Sequence, residues 1–248
     1  GCAESKKAML TEAFSDLPEY LCLVFVYDTL PYKIGRGKFQ ELVKKAGSIV
    51  EFAAADRDDL IDWIRRRFKA LGRDIDDRDA EYLIFLCGDL MTGLRGEIEK
   101  IGSYAKGSTV TRADIDAVAD PVLEAKVFDM TDAVGGRDFK RAMVILSDLF
   151  SLREKPIMVL AALGKNLRQL YTARLALESG KGTPALVEMW NMKTSWQANK
   201  LMQSARRCPL DWCRRAVALA GEADLAMKST GRDQEDVLTE LMLRLANG

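Results

Sequence analysis

None of the 248 residues is a histidine. That removes imidazole bases, Ser-His and Cys-His nucleophile pairs and His-bound zinc from the available chemistry. The cysteines are Cys2, Cys22, Cys87, Cys208 and Cys213; no two stand as C-x-x-C, and an odd, scattered set makes no disulfide framework. Cys22 and Cys87 sit inside apolar runs and read as small buried thiols. A phosphate-cradling loop needs G-x-x-x-x-G-K-[ST] after a strand. Gly35-Arg-Gly-Lys38, followed by Phe39, and Gly180-Lys-Gly182 have neither that spacing nor that setting, and both read as turns. Asp28 closes an apolar run, where α/β proteins place catalytic or metal-binding carboxylates, but aspartate also opens turns. The pairs Asp58-Asp59 and Asp76-Asp77 fall at helix starts, where capping and the helix dipole account for them. These residues imply no catalytic site, no metal and no cofactor.

Basic residues are the remaining candidates. Lys and Arg together number 37, as do Asp and Glu, so no overall field draws the chain to nucleic acid. Arg65-Arg-Arg67, Arg206-Arg207 and Arg214-Arg215 form clusters, but consecutive arginines fan around a helix rather than lining one side, which favours solvated faces. Lys165 and Arg168 differ: they lie three apart on one side of an otherwise apolar helix, beside Tyr171. Either a subunit interface or an internal ion pair fits that pattern, and these three residues are the candidate interface set.

The elements that must position them change character along the chain. Residues 6–15 suit a helix broken by Pro18. Residues 21–27 form a continuous apolar run, the pattern of a strand buried on both faces, and 48–52 suggest a second strand after a short helix at 39–46. This is a βαβ pattern, with two strands too few to stand alone. Their neighbours are expected in a segment preceding residue 1 or in another chain; otherwise a bare sheet edge invites pairing with a second copy.

From residue 56 the period is helical. Asp56 caps a helix with Leu60, Ile61, Ile64, Phe68 and Leu71 on one face, closed by Gly72. Asp79 opens a second helix, a third carries Leu90, Leu94, Ile98 and Ile101, and Thr111-x-x-Asp114 is a near capping box for a short fourth. Further helices are predicted at 123–135, 138–151, 156–178, 184–190, 195–207, 210–227 and 233–246. The 156–178 helix should be central, because Leu160, Leu163, Leu167, Leu170 and Tyr171 give it a broad apolar face. Asp224 and Lys228 make an i,i+4 pair. No run reaches the roughly 18 apolar residues of a membrane span.

The order of these pieces carries a resemblance. The run ending in Leu21-Cys-Leu-Val-Phe-Val-Tyr-Asp28 is followed by Leu60-Ile-Asp-Trp63, Leu86-Cys-Gly-Asp-Leu90, Leu94-Arg-Gly-Glu-Ile-Glu-Lys100 and Val110-Thr-Arg-Ala-Asp-Ile115. Next stand Val127-Phe-Asp-Met-Thr-Asp-Ala133, Ala142-Met-Val-Ile-Leu146, Glu222-Ala-Asp-Leu-Ala-Met-Lys-Ser229 and the leucine-rich 238–245. Together they resemble the delta subunit of the bacterial DNA polymerase III clamp loader, lacking most of its N-terminal domain. The resemblance implies a mainly α fold: a truncated AAA+-like α/β base remnant at 1–55, a small helical lid at 56–120, and a helical collar at 121–248. It also implies a non-catalytic, cytoplasmic part of the polymerase (nucleotidyltransferase) holoenzyme that helps load the sliding clamp during replication. Its partners would be the ATPase subunits (gamma/tau) and delta prime through the collar. The sliding clamp would be bound by the full-length protein but not by this part, DNA only indirectly or weakly, and membranes not at all. Two alternatives are an AAA+ ATPase fragment whose nucleotide loop lies upstream, and a helical nucleic-acid-binding regulator.

Overall fold

The computed structural model describes residues 9, 12, 18–26, 41, 43–45, 47–51, 55–192 and 194–247. The chain divides into two units, Gly1–Ala54 and Ala55–Gly248.

In the first unit a turn at Pro18 is closed by the Leu21 amide donating to the Pro18 carbonyl at 2.9 Å. Residues 41 and 43–45 are helical, and Gly47 donates to Val43 at 2.9 Å, as the 39–46 helix requires. Among the described residues the expected strands do not form: 21–26 and 48–51 belong to no strand, and Leu21, Leu23, Val24, Phe25, Val26 and Val50 are exposed. A doubly buried strand needs ladder neighbours and covering layers, which two short apolar runs do not supply. Cys22 is accordingly exposed rather than buried. The 6–15 helix, Asp28 and Gly35-Arg-Gly-Lys38 lie largely or wholly outside the described residues.

The second unit is helical throughout. Its first four helices surround one core: α1 (Arg57–Ala70), α2 (Asp77–Cys87), α3 (Met91–Tyr104) and α4 (Arg112–Val118). Asp56 caps α1 by accepting from the Asp59 amide at 2.9 Å. Leu60, Ile61, Ile64 and Phe68 then point inward at helical spacing. Gly72, at φ 73°, reverses the chain. Leu71 misses the core because it stands just past the last turn, yet it closes on α3: a Cβ on Gly102 would lie 2.7 Å from Leu71 Cδ1. Asp76, not Asp79, caps α2; its extended backbone lets the carboxylate reach the Asp79 amide at 2.8 Å, leaving Asp79 in the first turn. Leu90 is exposed because it is the N-cap of α3. Thr111 and Asp114 form a complete, reciprocal capping box on α4. The described residues hold one isolated β-bridge, Asp74 with Thr109, which ties the α1–α2 and α3–α4 connections together.

Seven further helices enclose the second core: α5 (Leu123–Gly135), α6 (Phe139–Ser151), α7 (Pro156–Glu178), α8 (Thr183–Trp190), α9 (Ser195–Arg207), α10 (Leu210–Ser229) and α11 (Gln234–Ala246). The bounds follow the periodicity to within two residues at either end. As expected, α7 is central: α5, α8, α9, α10 and α11 all pack on it. Val159, Leu160, Leu163, Leu167 and Leu170 are buried, each contributing about 1.5–3 kcal/mol relative to exposure. Among the described residues no helix is long and apolar enough to cross a membrane.

Candidate subunit interface

Apart from Glu178 in the last turn, one stripe of α7 is exposed: Met158, Ala161, Lys165, Arg168 and Leu175, with Thr172 half-buried between them. Lys165 and Arg168 thus lie on the single open side of an otherwise enclosed helix. Neither makes an ion pair among the described residues, so the internal-pair alternative is not what the side chains do. Tyr171 is half-buried and turns toward α10, where Arg214 is its neighbour.

The two helices run antiparallel. Gly164 stands opposite Ala220, where a Cβ on the glycine would lie 4.0 Å from the alanine Cβ, while Tyr171 meets Arg214. Rising numbers on one helix therefore pair with falling numbers on the other. The small residue at 164 lets the backbones approach, and the same added Cβ would touch the Arg168 guanidinium at 3.4 Å. On α10 the exposed positions include Arg214, Ala218, Gly221 and Leu225, again at spacings of four, three and four. The result is a shallow two-helix face with cations at Lys165, Arg168 and Arg214, the last already paired with Asp211 at 3.3 Å. Small residues (Ala161, Ala218 and Gly221) lie between them, and Met158 and Leu225 are exposed by 51% and 66%. Fixed cations beside uncovered apolar side chains suit a protein partner bearing carboxylates. Arg214 is the member that sequence reasoning assigned to solvent. Its signal was faint: the Arg214, Ala218, Gly221, Leu225 spacing matches the stripe on α7.

The other sequence candidates are explained locally. Arg65 pairs with Asp77 at 3.4 Å, and Arg67 lies 5.2 Å from the Trp63 ring centroid. Arg66 shares a shallow cleft with Asp62, Lys69 and Asp74. Arg65 lines the same cleft, so only Arg67 of the three consecutive arginines stands apart. Arg207 reaches Asp132 at 2.9 Å, and Ser204 donates to the same carboxylate oxygen, joining α9 to α5. Asp224 and Lys228 pair at 2.7 Å as expected. Burial, then the Glu97 carboxylate, pushes the Cys87 thiol up to about 12, which makes it a poor nucleophile. Cys208 and Cys213 are buried, Cys208 donates to the Gly135 carbonyl at 3.4 Å, and the neighbouring Cys208 and then burial push the Cys213 thiol up. Among the described residues no group of acidic or cysteine side chains is placed to hold a metal.

The bundle thus carries one open cationic and apolar face. Comparison with known proteins places the bundle in a family. Residues 124–245, which are α5 to α11 almost end to end, match the family model for the DNA polymerase III delta subunit, C-terminal domain. The chain is 26% identical over 156 residues to a probable DNA polymerase III subunit delta of Aquifex aeolicus, covering 62% of this chain and 45% of that protein. It is 23% identical over 248 residues to DNA polymerase III subunit delta of Bacillus subtilis, covering 97% of this chain and 71% of that protein. The solved Bacillus subtilis DNA clamp loader delta protein shares the fold, with a TM-score of 0.62 at 18% identity over all of this chain and 74% of the other. Residues 124–245 belong to the DNA polymerase III delta subunit family. The chain spans less than half the length of the Aquifex relative. The AAA+ ATPase reading is not favoured by these relatives.

Proposed function

We propose that this chain is the assembly-bearing part of a clamp-loader delta subunit, a non-catalytic component that helps load the sliding clamp in the cytoplasm. The observation that carries the reading is the coincidence of the family match at 124–245 with the whole bundle around α7. The chain divides functionally into a base remnant at 1–55, a lid at 56–120 and a collar at 121–248. The two separate cores of the helical unit support the last boundary, although Ala125 contributes to the first core. The collar joins the ATPase subunits (gamma/tau) and delta prime through Lys165, Arg168 and Tyr171, with Arg214 alongside. The exposure of Lys165 and Arg168 without carboxylate partners, on the open side of α7, supports that assignment. The sliding clamp is not a partner of this part, and any contact with DNA is indirect or weak.

The test is gel filtration of the chain with the purified ATPase and delta-prime subunits of the same bacterium. Stoichiometric co-elution is expected. Lys165→Glu with Arg168→Glu should weaken the complex roughly tenfold or more, with a k_off effect dominating if the cations are buried on assembly. A folded chain that never co-elutes would overturn the proposal. Co-elution indifferent to the charge reversal would move the interface elsewhere on the bundle.

A further inference from the structure

The seam between the two cores of the helical unit is filled in a way that ordinary interdomain contacts are not. Contacts between domains of one chain are usually polar and permit relative motion. Here Trp196, in the first turn of α9, inserts between helices of both cores. Its ring centroid lies 4.9 Å from Tyr82 and 4.5 Å from Phe85 on α2, and 6.2 Å from Phe128 on α5. Phe85 and Phe128 meet edge to face at 5.0 Å, and Phe85 packs against both cores. Arg112 of α4 closes the cluster, 3.7 Å over the Tyr82 ring and 5.8 Å from Trp196, with its guanidinium held by Asp79 at 2.7 Å. The Tyr82 hydroxyl donates to Asp116 at 2.6 Å.

Beside the aromatics lies a second tie. Glu81 is 5% exposed, a rare setting for a carboxylate, and it is satisfied from both sides. Arg57 of α1 pairs with it, and Ser195, the residue before Trp196, donates to it at 3.0 Å. A third tie fixes the connecting chain, where the Val122 amide donates to the Leu86 carbonyl at 2.9 Å. Three independent kinds of contact converge on the last two turns of α2, two of them from the first turn of α9.

We infer that the four-helix module and the seven-helix bundle are locked into one mechanical body by a joint centred on Trp196, with Glu81 as its polar latch. The helix that enters the joint, α9, is fixed at its other end to α5 through Asp132 and packs along α7. Any force applied to the module therefore reaches the central helix through α9. Under the function proposed above, a partner seated on the open side of α7 would also set the orientation of the module.

Hydrogen exchange of the intact chain across a urea series tests this without any partner. In the wild type, amides of α1 and α2 and those of α7 should open at one common midpoint. In Trp196→Ala the midpoints should separate, α1 and α2 exchanging roughly tenfold or more faster while α7 stays protected. Trp196→Phe, which keeps an aromatic ring in the joint, should restore most of the coincidence. Should Trp196→Ala not fold, Arg112→Gln removes the stacked cation without opening a cavity and is read the same way. Two midpoints in the wild type, or a single one preserved in these variants, would overturn the joint.

Discussion

The two cores of the helical unit are held by different means. In the four-helix module, three of four helices begin with a side-chain cap: Asp56 on α1, Asp76 on α2 and Thr111 on α4. In the bundle, only α6 and α11 of seven do, through Asp138 and Asp233. The long helices α7 and α10 start on Lys155 and Pro209, with no side-chain hydrogen bond at all. The module's helices run 7–14 residues, too short to be stable alone. Three of the four carry local start signals, whereas α7 is carried by its neighbours. Where tertiary burial is dense the sequence can neglect its helix ends.

Core truncation should give the largest effects and strike both regions. Leu163→Ala, at the buried centre of α7, should cost about 2–5 kcal/mol, and Phe68→Ala in the module about 3–5 kcal/mol, measured by urea unfolding. A loss below 1 kcal/mol at Leu163 would break the claim that burial alone carries the bundle. Cap removal should separate the regions. Thr111→Ala takes away half of the α4 capping box and should cost about 1 kcal/mol, with α4 amides exchanging first.

The same box predicts an acid response. Thr111, through its hydroxyl and then its backbone amide, holds the Asp114 carboxyl below its usual value. A lowered folded-state pKa contributes stability that is present above the unfolded value, about 3.9, and is lost as pH falls through the folded one. Asp114→Asn should therefore flatten the acid limb of α4 protection below about pH 4 without altering its neutral-pH slope. An unchanged acid limb would show that the hydrogen bonds do not hold in solution. The smallest effect is a gain. Gly182 caps α8 without a side chain, and an added Cβ there would meet only Pro184 Cδ at 3.6 Å. Gly182→Asn should stabilise by a few tenths of a kcal/mol, about what a cap is worth over glycine, seen as a small rise in Tm.

Much of this contrast was legible in the residues. The bundle helices declare themselves by leucine spacing, and α7 by the breadth of its apolar face. The start of α2 was not, because Asp76, Asp77 and Asp79 are all capable caps and only the extended backbone at Asp76 selects among them. The apolar run at 21–26 reads as a strand by composition, yet a strand is defined by neighbours that composition does not provide. In the candidate interface, Lys165, Arg168 and Tyr171 share one helix and so one period. Arg214 joins them only through the antiparallel pairing of α7 with α10, a contact between distant segments that no local pattern encodes. The Trp196 joint is hidden for the same reason.

That joint also sets an order of events during synthesis. Glu81 and Ser195 are 114 residues apart in the chain. A ribosome extending at about 5–20 residues per second releases the four-helix module several seconds before Trp196 emerges. Through that interval Phe85 and Tyr82 face water with their eventual cover still unmade. The nascent module is thus a transiently adhesive intermediate, and the arrival of α9 is the step that retires it.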